Sequence, residues 1–255
     1  MHNKKPNAVL ALANNTIFFG NGIGYESQIV GELCFNTSIL GYQEILTDPS
    51  YSNQIITFTF PHIGIVGTNK IDVESSKIYA SGCIINQPLG VKSNWRAEKN
   101  LNFFFIKNNI PCLTGVNTRQ LTKLLSKKGP LKAIIINDNI NKNNFNELIK
   151  KLKKWKGLKN VDIAKLVSTK YNYNFNEGIW NIKNNNYQIK KNSKTNHFKI
   201  VCIDFGIKKN ILRSLNNNNF KVIVLPAQSS FQEIISLKPN GIFLSNGPGD
   251  PFATG

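Results

Sequence analysis

The chain has 255 residues and a mass of 28.6 kDa, room for one large domain or two ordinary ones, with interior enough to need no disulfide or metal staple. Apolar residues are 41% and charged residues 18% of the sequence, which excludes a disordered tail, a collagen-like repeat and a coiled coil. The net charge of +18 points towards nucleic acid, but 29 of the 32 basic residues are lysine and 38 asparagines accompany them; phosphate and base recognition favour the arginine fork, so the excess reads as drift towards A-rich codons and no nucleic-acid partner is expected.

The longest apolar runs fall far short of the ~20 residues of a membrane span. The apolar stretch before Asn14 is shorter than a secretory signal core of about 7–15 residues. A soluble, cytoplasmic protein without a membrane partner is expected.

Residues 7–140 hold short runs, AVLAL, QIITFTF, SGCIIN, FFFIKN and KAIIIN, that read as strands between Gly, Pro and Asn punctuation. GNGIGYE, at Gly20 to Glu26, lacks the Lys-Ser/Thr of a phosphate loop and reads as a turn. Ser50, after Asp48-Pro49, reads on its own as a turn residue. One helix is predicted over Thr118–Lys128, with Leu121, Leu124 and Leu125 on its apolar face and Gly129 ending it. The whole reads as an α+β domain with a mainly antiparallel or mixed sheet.

Residues 141–197 read as a helix and a connector. Phe145, Leu148, Ile149, Leu152 and Trp155 recur at helical spacing, with Asn144 as predicted N-cap, Glu147 as its capping-box partner and Gly157 as the stop. Lys150, Lys151, Lys153, Lys154, Lys156 and Lys159 take the solvated face and last turns, where they suit the helix dipole. Beyond it, Tyr171, Tyr173, Phe175, Trp180 and Tyr187 sit among lysines. They read as anchors of the connector rather than as a stacking platform for single strands.

From Phe198 strand and helix patterns alternate: KIVCIDFG, NILRSLN, KVIVLP, FQEIISLK and GIFLSN. This predicts a doubly wound parallel sheet over 198–255, and an α/β protein of two domains overall. The third strand runs into Asn246-Gly247-Pro248-Gly249-Asp250-Pro251. Two glycines around a proline serve either a tight turn or an anion nest that aims N–H groups at one point.

Cys34, Cys83, Cys112 and Cys202 form no CxxC pair and share no spacing with His2, His62 or His197, so no metal site and no disulfide are expected. Cys202, inside a strand-like run, reads as a buried inert thiol. No GxCxG or GxSxG nucleophile elbow occurs.

GIFLSNGPGDP, at Gly241 to Pro251, resembles the signature of a class I glutamine amidotransferase domain. GELCFNTSILGYQEILTDPSYSNQI, at Gly31 to Ile55, FPHIGIVGTN, at Phe60 to Asn69, NTRQLTKLLSKKG, at Asn117 to Gly129, GLKNVDIAKLVS, at Gly157 to Ser168, and DFGIKKNILRSL, at Asp204 to Leu215, resemble the carbamoyl-phosphate synthase small-subunit family. The resemblance implies a subunit that takes ammonia from glutamine and passes it through a tunnel to a large subunit. That partner, using ATP and Mg2+, makes carbamoyl phosphate for arginine and pyrimidine synthesis, and the two form a heterodimer. No cofactor is expected on this chain itself. The resemblance also implies that Ser50, Gly247 and Gly249 bind glutamine and that the Gly247 N–H serves an oxyanion hole.

The family's nucleophile elbow, with its Cys, and its distal His and Glu have no counterpart among these residues, and none of the four cysteines matches the missing position. The amidotransferase domain is therefore expected to be incomplete, with an open apolar sheet edge, and the chain as it stands is expected not to hydrolyse glutamine. A second reading follows: a non-catalytic subunit that binds and stabilises an ammonia-using large subunit.

Overall fold

Short runs rich in apolar residues, three to ten long and separated by Asn, Gly and Pro, form the strands of the first half of the chain. In the computed structural model, which describes residues 6–138, 142–189 and 198–254 (142–144 by backbone only), the chain divides into two units. The first comprises Met1–Thr47, Asn53–Asp72 and Lys77–Leu158; the second comprises Asp48–Ser52, Val73–Ser76 and Lys159–Gly255. His2 and His197 lie outside the described residues.

The first unit contains, in chain order, β1 (Ala8–Leu12), β2 (Ile17–Gly24), β3 (Ser27–Asn36), α1 (Tyr42–Thr47), β4 (Gln54–Phe58), β5 (Gly82–Ile84), α2 (Leu101–Lys107), β6 (Pro111–Thr114), α3 (Thr118–Lys128), β7 (Leu131–Asn137) and α4 (Lys142–Lys154). Its strands close into a barrel in the order β1-β2-β6-β5-β4-β3-β7. Pairs β3–β4, β4–β5 and β5–β6 are parallel and the other four antiparallel, so the sheet is mixed. Leu10, Leu33, Ile55, Ile84, Leu113 and Ile135, from six of the strands, pack in one cluster that Leu121 and Leu125 of α3 complete. Val9, Ala11, Ile134 and Ile136 alternate to the opposite face, where Leu148 and Leu152 of α4 cover them. Burial on both faces explains why AVLAL has no polar residue.

Helix α3 has the predicted bounds, with the Asn117 side chain accepting from Gln120 N at its start and Gly129, φ +75°, at its end. Three expectations are corrected. FFFIKN is helical, because Asn100 caps Phe103 N and the buried pair Leu101 and Phe105 has helical spacing. Gly20 to Gly24 lie inside β2, with only Tyr25-Glu26 left as a link to β3, with which β2 does not pair. Helix α4 begins at Lys142, so Asn144 falls in its first turn and is not its N-cap, and it ends at Lys154, before Gly157. Its stripe and its exposed lysines lie as the spacing predicts.

The second unit contains a 3-10 turn (Pro49–Tyr51), α5 (Ala164–Val167), β8 (Tyr173–Phe175), β9 (Glu177–Asn181), β10 (Asn186–Ile189), β11 (Phe198–Asp204), α6 (Lys209–Asn217), β12 (Phe220–Pro226), α7 (Phe231–Ser236), β13 (Gly241–Leu244) and a second 3-10 turn (Pro251–Ala253). Strands β11, β12 and β13 are parallel, as the alternation predicts, in the order β13-β11-β12-β8. The added antiparallel strand β8 comes from the aromatic segment and buries Phe175 beneath α6 and β12. Arg213 of α6 lies 3.4 Å over the Tyr187 ring and 3.1 Å from Glu177, tying the β9–β10 hairpin down. Among the described residues no helix is long and apolar enough to cross a membrane.

Candidate functional site

Strand β11 lies between β12 and β13, so the chain leaves it to one side and returns on the other. The carboxyl ends of β11 and β13 flank that reversal, where parallel α/β sheets open a crevice. Two loops leave there, Asp204 to Lys208 and Ser245 to Asp250, and the Asp48–Ser52 turn belongs to the same unit.

Asp204 shapes the first loop. Its Oδ1 accepts from Gly206 N and Ile207 N, each at 2.8 Å, and its Oδ2 accepts from Thr169 N at 2.7 Å. Ser245 stitches the loops together: its Oγ accepts from Phe205 N at 2.9 Å and donates to Asn246 O at 2.7 Å. A Cβ on Gly247 would lie 2.1 Å from Phe205 O, so only glycine allows that approach. Gly249, at φ +88°, packs where a Cβ would meet Val161 O at 3.0 Å. Pro248 between them is buried. Both glycines are exposed, and among the described residues their N–H groups donate to no protein acceptor.

Ser50 meets this loop directly. Asn246 Nδ2 donates to Ser50 Oγ at 2.8 Å and to Gly206 O at 3.1 Å, and Asn246 Oδ1 accepts from Lys208 N at 3.3 Å. The backbone of Ser50 is held by Asp48, whose Oδ1 accepts from Ser50 N at 2.9 Å. The buried Asp48 carboxylate also pairs through Oδ2 with Lys208 Nζ at 2.9 Å. Burial works against the Lys208 charge, but the hydrogen bond and charge of Asp48, with Tyr51 and Glu74, outweigh it and raise its pKa. Of the expected residues, Ser50 and Gly247 flank one amide, while Gly249 sits across Pro248 against Val161 and Ile163. Sequence reading missed Asp48, Asn246 and Lys208. Only Asp48 carried a local signal, as an Asx-type turn acceptor before Pro-Ser.

This arrangement offers donors and no nucleophile. Cys202, on β11, is fully buried, and burial followed by the Asp204 charge pushes its thiol up to about 12. Burial first, then the Glu32 charge, takes Cys34 to about 12, and burial with its hydrogen-bonded neighbour Cys83 raises Cys112. These are protonated thiols at neutral pH and poor nucleophiles.

Comparison with known proteins fits this division. The family model described as carbamoyl-phosphate synthase small chain, CPSase domain, matches residues 10–135, and that of glutamine amidotransferase class-I matches residues 201–255. The carbamoyl phosphate synthase small chain of Bartonella bacilliformis is 48% identical over 254 residues, covering 98% of this chain and 63% of that protein. That of Buchnera aphidicola subsp. Schizaphis graminum is 46% identical over 244 residues, or 96% and 63%. That of Zymomonas mobilis is 44% identical over 245 residues, or 96% and 65%. The chain therefore spans somewhat less than two thirds of the length of these relatives. With both regions matched in order and identity sustained between them, the chain belongs to the carbamoyl-phosphate synthase small-chain family.

Proposed function

We propose that this chain carries the glutamine-binding side of the small subunit of a glutamine-dependent carbamoyl-phosphate synthase. In this reading Ser50 and Gly249 hold glutamine, and the Gly247 N–H faces the oxygen of its carboxamide. Attack on that carbon creates a tetrahedral oxyanion, and one preorganised N–H there is worth about 2.7–4 kcal/mol. The ammonia released goes to a large subunit, which binds ATP and Mg2+ and makes carbamoyl phosphate for arginine and pyrimidine synthesis. The observation that carries the reading is the Asn246–Ser50 hydrogen bond, which sets a serine from the 48–52 turn beside the glycine loop.

Hydrolysis also requires a thiolate and a base to protonate the departing ammonia. No thiol described above suits that role, so these 255 residues bind glutamine without turning it over. Titration calorimetry with L-glutamine, followed by carbamoyl phosphate synthesis with the large subunit on glutamine and on ammonium, tests this. Saturable glutamine binding that weakens about tenfold in Ser50→Ala supports it. Absence of glutamine binding, with stimulation of ammonium-dependent synthesis, would assign the chain to a non-catalytic interaction role.

A further inference from the structure

The Asn246 amide can be oriented without reference to Ser50. Gly206 O only accepts, and it lies 3.1 Å from one end of the amide; Lys208 N only donates, and it lies 3.3 Å from the other. These obligatory partners assign Nδ2 and Oδ1 uniquely. The end facing Ser50 Oγ at 2.8 Å is therefore a donor. A serine hydroxyl has one proton and two lone pairs; with a lone pair engaged by Asn246, its own proton points elsewhere. Among the described residues that proton meets no acceptor, and Ser50 is only partly buried.

We infer that Asn246 is a positioning residue that sets the polarity of Ser50, turning its hydroxyl proton outward to donate to an acceptor oxygen of the amide substrate. This rests on the amidotransferase reading for the identity of the ligand, but the polarity stands on the hydrogen bonds alone. Asn246 itself touches no reacting atom. Replacing its NH2 by oxygen, as in Asn246→Asp, puts an acceptor where the donor was. The Ser50 proton then turns inward to the new carboxylate, and the substrate faces a lone pair.

The test uses the 255-residue chain, with L-glutamine as probe in calorimetry and the side-chain amide resonances of 15N-labelled protein as a ligand-free readout. Asn246→Asp and Ser50→Ala are each expected to weaken glutamine about tenfold, and Ser50→Ala/Asn246→Asp no more than either alone, because both remove one donor. Additive losses, or wild-type affinity in Asn246→Asp, would overturn the inference. In the ligand-free arm, Ser50→Ala is expected to move the Asn246 amide proton that faces Oγ and leave its partner, bound to Gly206 O, in place; an unmoved resonance also overturns it. If the wild-type chain binds no glutamine, the amidotransferase reading fails while the resonance arm still decides the polarity.

Discussion

At Gly247 the tolerance for change is set by one atom, the Phe205 carbonyl oxygen 2.1 Å from where a Cβ would sit. Gly247→Ala must part the loops after β11 and β13, so it should cost about 1–3 kcal/mol of stability and abolish glutamine binding; urea unfolding and calorimetry on the same variant check both. Lys208→Met leaves the buried Asp48 carboxylate with only the Ser50 N–H, and a loss of roughly 1–3 kcal/mol is expected. Asp48→Asn/Lys208→Met should recover part of it, since the stranded charge is then gone. Little of this was legible in the sequence. Asn246 and Ser50 are 196 positions apart, and no spacing rule joins an amide after one strand to a hydroxyl in another region's turn. The glycines were visible only as a motif, because a Pro-Gly turn and a ligand loop use the same residues.

Elements were more legible where their ends carry chemistry. Helix α3 announces itself by an apolar stripe and Gly129, and both have their observed counterparts, while the Asn117 cap emerges from the structure. Asn117→Ala should cost about 1 kcal/mol, within 0.5–2, read as a fall in urea midpoint at constant slope. Helix α2 was hidden because a run of three phenylalanines satisfies a strand pattern equally well; its deciding signal, Asn100, lies just before the run. Barrel closure was hidden for another reason. It depends on β3 reaching β7 and β2 reaching β6 across the chain, and local sequence does not state which strands pair. Strand β13 pairs with β11 alone among the described strands and exposes Ile242 and Leu244. Such an edge templates association, so Leu244→Lys should reduce the concentration-dependent mass seen by sedimentation.

Across the molecule, the titrating groups with displaced pKa values agree in sign. Burial, then the Asp204 charge, takes Cys202 up to about 12, and Lys208 is raised above 10.5. A group whose folded pKa is raised stabilises fully below its unfolded pKa and ceases to as pH climbs through the folded value. Folding stability should therefore hold through neutral pH and fall between the ordinary thiol value of 9.0 and about 12, as denaturation curves at pH 8 and pH 11 would show. A net charge of +18 adds self-repulsion that salt screens, so added sodium chloride should raise the melting temperature at pH 7. The abundant asparagine also has a structural use. Six of the seven described non-glycine residues with positive φ are asparagines: Asn15, Asn53, Asn109, Asn160, Asn185 and Asn219. Asparagine bears the left-handed conformation more readily than most side chains, so a compositional bias doubles as a supply of turn residues.

Asn246 precedes a glycine, and an amide next to an unhindered backbone nitrogen is where succinimide closure starts. In the native chain Ser50, Gly206 and Lys208 hold that amide, and its three hydrogen bonds must break before it can swing into ring closure. The same three contacts that orient the serine thus also preserve it chemically. Each excursion to the unfolded state releases the side chain, and thermolabile asparagine then ages to an acid. Stored protein should lose glutamine affinity in step with conversion of Asn246 to acid in peptide maps, faster near the melting temperature than below it.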